Sequence, residues 1–494
     1  MTDTTVDASL DVAASFRWTP GHVIALVVLC LAALLDTIDV TVVNVAMPAI
    51  KTSLHFSESG LAWMVNAYMV PFGGFMLLGG RAGDVLGRRR ILLAGTAVFT
   101  AASLGSALAP DPAVMILTRA LEGTAAAFVI PMTLAMLASI FPAGAPRNRA
   151  FGVWGGVSAA AGTLGLVAGG LLVSAAGWRW IFLINIPAGA VVIAAAVRSL
   201  PADRPADRSR RFDAVGAVAA TTGASLLAYG IAQTAAHPWG SGRTIGLLAG
   251  AAILLGYFLV HERFVADSPL MPLSVWRNRS VAGANVVAVV QGSSLYAMFY
   301  FTTLYLQLVL HYSALRTGLC YLPLGISILA GASASPGLVR RIGVRLTTAA
   351  GSLVGAVGLF LLARIPVNGS LLTDIVIPTV LIGIGGGMTM IPTSIAAMSG
   401  APAKRTGLAS ALLNVSRQLG GALGLAAIST FAATRTAHES MAGHPVSVAL
   451  TDGFRLGFTV SGAVMLAAFL AALLLLRDDG RGQSINLAEL QAAG

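Results

Sequence analysis

Stretches of about twenty apolar residues, separated by short loops, recur along the whole of this chain, and that recurrence limits its fold more than any other feature. A helix needs roughly 20 mostly apolar residues to cross the hydrocarbon of a bilayer. Fourteen such runs can be read, from Val23–Ala46 through to Phe454–Leu476. Only 10% of the residues are charged, whereas soluble domains carry about 25%. With a mean hydropathy of +0.82, an ordinary soluble enzyme is excluded and an all-α polytopic membrane protein is expected. Several runs contain Gly or Pro, which a membrane bundle tolerates because neighbouring helices re-satisfy the freed backbone groups.

Charge placement gives the orientation. With a cytoplasmic amino terminus, 22 Lys and Arg residues fall in inside loops and tails, and 7 fall outside; the alternation follows the positive-inside rule. Both termini are therefore expected in the cytoplasm. The first run is longer than a signal-peptide core and follows an acidic tail (Asp3, Asp7, Asp11), so no cleaved signal is expected. The formal charge of +11 is spread between apolar runs and not gathered on one soluble face, which argues against a nucleic-acid partner. Two cysteines, Cys30 and Cys320, lie inside apolar runs and make no disulfide framework.

Polar linkers at Pro201–Asp213 and His261–Arg279 bracket two of the runs and leave six on each side. The expected organisation is a cytoplasmic tail (1–20) and a six-helix half (21–200). Linkers carrying an inserted hairpin of spans seven and eight follow (201–279), then a second six-helix half (280–476) and a cytoplasmic tail (477–494). The loop after the second span of each half echoes the other: GGRAGDVLGRRR at Gly79–Arg90 and PGLVRRIGVR at Pro336–Arg345. Internal repeats of this kind characterise transporter folds.

Three acids, Asp36, Asp39 and Glu122, lie well inside spans. An ionisable group at a helix centre costs on the order of 2.5–3.5 kcal/mol on insertion scales, so these positions default to function. Asp36 and Asp39 are three apart and share nearly one helix face. Withdrawal from water and a neighbouring carboxylate both disfavour the charged form of an acid, making span one a candidate proton site. The alternatives are a structural pair or cap for Asp39 and a water-filled vestibule around Asp36. Arg119 and Glu122 are also three apart and can pair with each other, with or without a part in transport. Arg417, likewise inside a span, must face protein, water or headgroups. Gly165, Gly169 and Gly170 lie in a small-residue stretch suited to close helix packing. No Gly-Lys-Ser/Thr phosphate loop, metal-ligand cluster or nucleophile–base set is visible in the sequence, so neither catalysis nor a bound metal is expected.

Four segments together carry a resemblance: Gly80–Arg90, LDTIDVTVVNVAMP at Leu35–Pro48, GWRWIFLINIPAG at Gly177–Gly189, and GLASALLNVSRQLGGALG at Gly407–Gly424. The first resembles the loop motif of the major facilitator superfamily. All four together resemble its fourteen-spanner branch of drug:proton antiporters, over about Asp36 to Leu476. The resemblance implies two six-helix halves with a central two-helix insertion. It implies that Arg119 communicates with a proton site at Asp39. It also implies that Gly80, Asp84, Gly87, Arg88 and Arg89 form a latch between the halves, the plain alternative being that the arginines anchor topology. Gly165, Gly169 and Gly170 resemble the antiporter motif, with Leu166 where proline is usual. Ala82, Val85 and Glu122 also depart from the pattern, which usually has glutamine at the last.

The expected function is proton-coupled efflux of a small amphipathic or cationic organic substrate by alternating access. The proton gradient drives it with no cofactor, in a bacterial plasma membrane and as a monomer. Arginine outnumbers lysine 29 to 2, as GC-rich bacterial genomes tend to produce. A dedicated exporter of one endogenous metabolite or antibiotic is the alternative, and a non-transporting sensor on the same scaffold is a further one.

Overall fold

The computed structural model describes residues 18–142, 145–202, 213–234, 237–266, 276, 278–399 and 406–476. The expected terminal tails up to residue 17 and from 477, and the linker residues 203–212 and 267–275, lie outside the described residues. All the regular elements described are helical. Two are short π-helical segments, Tyr305–Val309 and Leu371–Val376; in chain order the α-helices are α1 (Pro20–Leu54), α2 (Glu58–Leu86), α3 (Arg88–Ala107), α4 (Pro112–Ile140), α5 (Ala145–Ala176), α6 (Trp180–Leu183), α7 (Asn185–Ser199) and α8 (Ala214–Gln233). Then come α9 (Gly242–Phe264), α10 (Arg279–Leu304), α11 (Ala314–Cys320), α12 (Leu322–Leu362), α13 (Ile377–Ser399), α14 (Thr406–Met441) and α15 (Val446–Leu475). Among the described residues, 11 helical segments are long and apolar enough to cross a membrane. The chain is a multi-pass, all-helical membrane protein.

Local chemistry sets the starts. Thr19, Ser57 and Asp111 each accept a bond from a backbone amide in the first turn of α1, α2 and α4, satisfying a donor that the helix cannot. Pro20 and Pro112 follow two of these caps, where the missing N–H is not needed. The stops differ from expectation. Span one continues past Ala46 through Pro48 and ends at the left-handed His55 (φ 58°). Between Trp180 and Ser199 one span divides into α6 and α7, because Pro187 has no amide hydrogen for Leu183.

The segment Gly79–Arg90 is not an open loop. α2 runs to Leu86, so Gly80 and Asp84 are helical, and the reversal is confined to Gly87 at φ 101°. A side chain strongly disfavours that conformation. Gly79 and Gly83 instead let α2 press against α4: a Cβ on Gly79 would sit 2.1 Å from the Ala127 carbonyl, and one on Gly83 2.1 Å from Met132 Sδ. The second half repeats the device. Pro336–Arg345 is helical within α12 apart from Gly343, at φ 86°. The weak sequence echo is therefore a structural one, a single glycine turning the chain at each place.

α1 packs on α5, α2 on α4, and α3 on α4 and α7; in the second half α12 packs on α13, and α10 on α14 and α15. The two groups meet along two seams, α2 with α14 and α5 with α11. α8 lies against α2 and α14, and α9 packs on α8.

A Cβ on Gly123 of α4 would fall 2.1 Å from the Tyr68 carbonyl of α2, whereas nothing lies within 4 Å of one on Gly152. Gly123→Ala should therefore destabilise by about 1–3 kcal/mol, the usual cost of overpacking. Thermal unfolding of purified protein should show a lowered midpoint for Gly123→Ala and none for Gly152→Ala; equal midpoints would contradict the α2–α4 contact.

Candidate functional site

Arg119 of α4 is 2% exposed and stands at the centre of the first half. Its Nη1 lies 2.5 Å from Asp39 Oδ2 of α1 and also donates to Glu122, one turn along α4. Its Nε reaches the Met64 carbonyl at 3.5 Å. The guanidinium carbon is 4.5 Å from the centre of the Tyr68 ring and 5.8 Å from that of Phe182. Cation–π attraction of this kind strengthens where water is excluded.

Both carboxyls are held on their far sides. Asp39 Oδ1 accepts from Asn185 Nδ2 at 2.8 Å, and Asn185 also reaches Ser103 Oγ at 3.2 Å. Ser106 Oγ lies 2.9 Å from Glu122 Oε1 and 2.8 Å from Thr118 Oγ1. Asp39 is 1% exposed and Glu122 0%. Asp36 accepts a hydrogen bond from the Tyr68 hydroxyl. It is 8% exposed and borders a small cavity between α1, α3 and α4. It is therefore packed among helices and does not sit in a wide aqueous vestibule.

The structure thus joins Asp39, Arg119 and Glu122 directly and attaches Asp36 through Tyr68. The chemistry follows from the count of charges. With both Asp39 and Glu122 ionised, the trio carries one negative charge; with one of them protonated it is neutral. A buried group that changes between those states by one proton responds strongly to its surroundings, since little solvent screens it. Asn185, Ser103, Ser106 and Thr118 were not among the expected site residues. Asn185 does stand in the stretch GWRWIFLINIPAG, and an amide inside an apolar span was the available signal. Serine and threonine were not distinguishable, since in helices they commonly bond their own preceding carbonyls.

The glycines of α5 divide their work. A Cβ on Gly165 would meet Thr41 Oγ1 at 2.1 Å and one on Gly169 would meet Val42 Cα at 3.0 Å, both on α1. One on Gly170 would meet the Ala314 carbonyl of α11 at 2.5 Å, and one on Gly318 of α11 would meet the Leu166 carbonyl at 2.4 Å. These backbones close one end of the interface between halves. α5 is unbroken through Leu166, whose amide, unlike a proline nitrogen, can join the helical hydrogen-bond ladder. At the other end, Arg88 Nη1 bonds the Ala135 carbonyl of α4 at 2.9 Å and Arg89 bonds the Val197 carbonyl of α7. Those bonds stay within the first half. The Asp84 side chain lies outside the described residues.

A family model described as Major Facilitator Superfamily matches residues 29–425. The chain is 36% identical to the cephamycin export protein CmcT of Amycolatopsis lactamdurans over 455 residues, covering 92% of this chain and 91% of that one. It is 37% identical to the puromycin resistance protein pur8 of Streptomyces alboniger, covering 91% and 90%. Among solved structures, the POT family transporter PepTSo matches with a TM-score of 0.66 at 15% identity, covering 92% of this chain and 99% of that one.

Removing one partner from a buried ion pair leaves a charge with nothing to neutralise it, at a cost of about 3–5 kcal/mol. Arg119→Gln should therefore destabilise the protein by that amount, while adding Asp39→Asn to it should restore part of the loss. A double-mutant cycle on thermal unfolding reads the coupling; additive effects of the two substitutions would show that the pair does not interact.

Proposed function

Because the chain belongs to the major facilitator superfamily, and so is a transporter and not an enzyme, we propose that it exports small organic molecules across a bacterial plasma membrane in exchange for protons. One observation carries the reading: two buried carboxyls, Asp39 and Glu122, share the single guanidinium of Arg119. Asp39 takes up a proton when its end of the bundle opens to one side and releases it on the other. Arg119 and Asn185 hold the carboxylate in the intervening state. Glu122 and Asp36 are further acids within the same network. Gly80, Asp84, Gly87, Arg88 and Arg89 act as the latch of the opposite conformer, in which the arginines exchange same-half carbonyls for partners across the interface. The backbones packed at Gly165, Gly169, Gly170 and Gly318 are consistent with the alternative seal, closed here at the other end.

Fourteen crossings fit the described helices. Dividing Ala314–Leu362 at Gly343 and adding α2 and α14 to the remaining long apolar segments gives that number. In that arrangement α8 and α9 form an inserted hairpin between two six-helix halves, at 21–200 and 280–476, and both termini are cytoplasmic. The transporter works as a monomer, with no cofactor.

The energetics suffice. One proton moving down 100 mV contributes about 2.3 kcal/mol, and one pH unit adds about 1.4 kcal/mol. Together these sustain roughly a 500-fold gradient of a neutral substrate, at about 1.4 kcal/mol per tenfold. The narrower reading, a dedicated exporter of one endogenous metabolite or antibiotic, draws support from relatives described as cephamycin export and puromycin resistance proteins.

Asp39→Asn keeps a hydrogen-bonding side chain beside Arg119 and Asn185 but cannot carry a proton. In proteoliposomes it should abolish substrate export driven by a pH gradient, with thermal unfolding still cooperative. Export at the parent rate would refute Asp39 as the proton carrier.

A further inference from the structure

Two arginines lie inside the helical bundle, and their surroundings differ. Arg119 has two carboxylates, a carbonyl and two rings. Arg417, on α14, has no carboxylate within 4 Å and no hydrogen-bond partner among the described residues. It stands roughly 16 Å along α14 at 1.5 Å per residue, too deep for its headgroup end of the helix to explain it. At this level α10 and α14 touch through their backbones, since a Cβ on Gly292 would fall 2.1 Å from the Arg417 carbonyl. The neighbouring side chain is turned towards the first half: Gln418 Cβ is 3.3 Å from the Cβ position of Gly73 on α2. Gln418 Oε1 accepts from the Tyr296 hydroxyl at 2.7 Å, which fixes the amide and leaves its NH2 hydrogens unassigned. Gly421 follows Arg417 by one turn on the same face of α14, and a Cβ there would meet the Tyr296 ring at 2.4 Å and Met69 Cε of α2 at 2.5 Å, so this face looks onto the seam with the first half. Arg417, on that face, is only partly buried.

Resting on the export reading, we propose that Arg417, supported by the Tyr296–Gln418 pair, is the recognition residue for an anionic group on the exported substrate. That group is a carboxylate or an acidic enol or phenol on an otherwise apolar body. An arginine fork presents parallel donors that match a carboxylate's two oxygens, and an intramembrane ionisable residue without a protein partner is a site by default. This assignment replaces a cationic substrate with an acidic or amphoteric one. It also changes the electrical balance. One proton entering as one monoanion leaves moves two positive charges inward, so the membrane potential alone drives export, whereas exchange of a monovalent cation for one proton is electroneutral.

The test uses two probes with one apolar body, pyrenebutyrate and a pyrenebutyl-trimethylammonium ion. They are titrated against the full chain in phosphatidylcholine nanodiscs, with fluorescence anisotropy as the readout. The parent should bind the butyrate more tightly. Arg417→Gln should weaken the butyrate by about tenfold or more, the scale of a lost hydrogen bond to a charged group, and leave the ammonium unchanged. Arg417→Lys should fall between. An equal loss for both probes would make Arg417 a packing residue, and no loss, or a parent preference for the ammonium, would also overturn the assignment. Nanodiscs doped with phosphatidylglycerol distinguish the source of the anion: displacement of the butyrate there would assign the site to a lipid headgroup and refute a substrate role. Anion recognition is read from equilibrium binding in nanodiscs and coupled export from flux in proteoliposomes, so failure of the one reading is distinguishable from failure of the other.

Discussion

A guanidinium in the interior of a bundle that excludes water needs compensation, and much of the first half is arranged to supply it to Arg119. Carboxyls arrive from α1 and from its own helix, and the Met64 carbonyl and the Tyr68 ring from α2. In a second layer, Asn185 on α7, which also donates to Ser103 of α3, binds Asp39, and Ser106 on α3 binds Glu122. Four membrane helices and α7 are thereby held to one charge. Such a network specifies an arrangement more than it stabilises one, because desolvating the ions offsets much of their attraction.

Glycine makes the network geometrically possible. The α2–α4 contact that brings Tyr68 over Arg119 depends on Gly123 and Gly79, each of which meets a backbone carbonyl of the other helix. In membranes, where lipid is as apolar as a side chain, close backbone approach supplies the packing that a hydrophobic driving force supplies in water. Gly87 and Gly343 serve a different need: each takes a positive φ at which one helix gives way to the next with almost no connecting segment.

What the sequence revealed and what it hid follow from the same physics. Asp39, Arg119 and Glu122 stood out because a charge in an apolar run is costly whatever its partner, and their separations of three residues along a helix are readable from numbering alone. The pairing of Asp39 with Arg119 crosses from α1 to α4, 80 positions away; only the resemblance to a family suggested it. Asn185 and Ser106 were not recognised because a polar uncharged side chain satisfies itself cheaply in any helix. The segment after the second span looked like a loop because glycines and arginines cluster there. In fact Gly79 and Gly83 face α4 and the turn needs Gly87 alone. Composition marks glycine; it does not distinguish a packing glycine from a turning one.

The ion network lies on α1–α4 and α7, so in the proposed exchange of protons for substrate its change in charge has to be carried across a packed seam. The route of continuous contact is short. Thr41 and Val42 follow Asp39 on α1 and fill the hollows over Gly165 and Gly169 of α5; one residue further, Gly170 abuts the Ala314 carbonyl of α11. Packed backbones at such distances do not deform gradually; they occupy one arrangement or another. In the proposed cycle, a shift of α1 on exchange of a proton at Asp39 would reach α5 as a displacement of its seat, and α5 cannot move without altering its contact with α11. The continuity of α5 through Leu166 makes that transmission stiffer than a proline-kinked helix would allow.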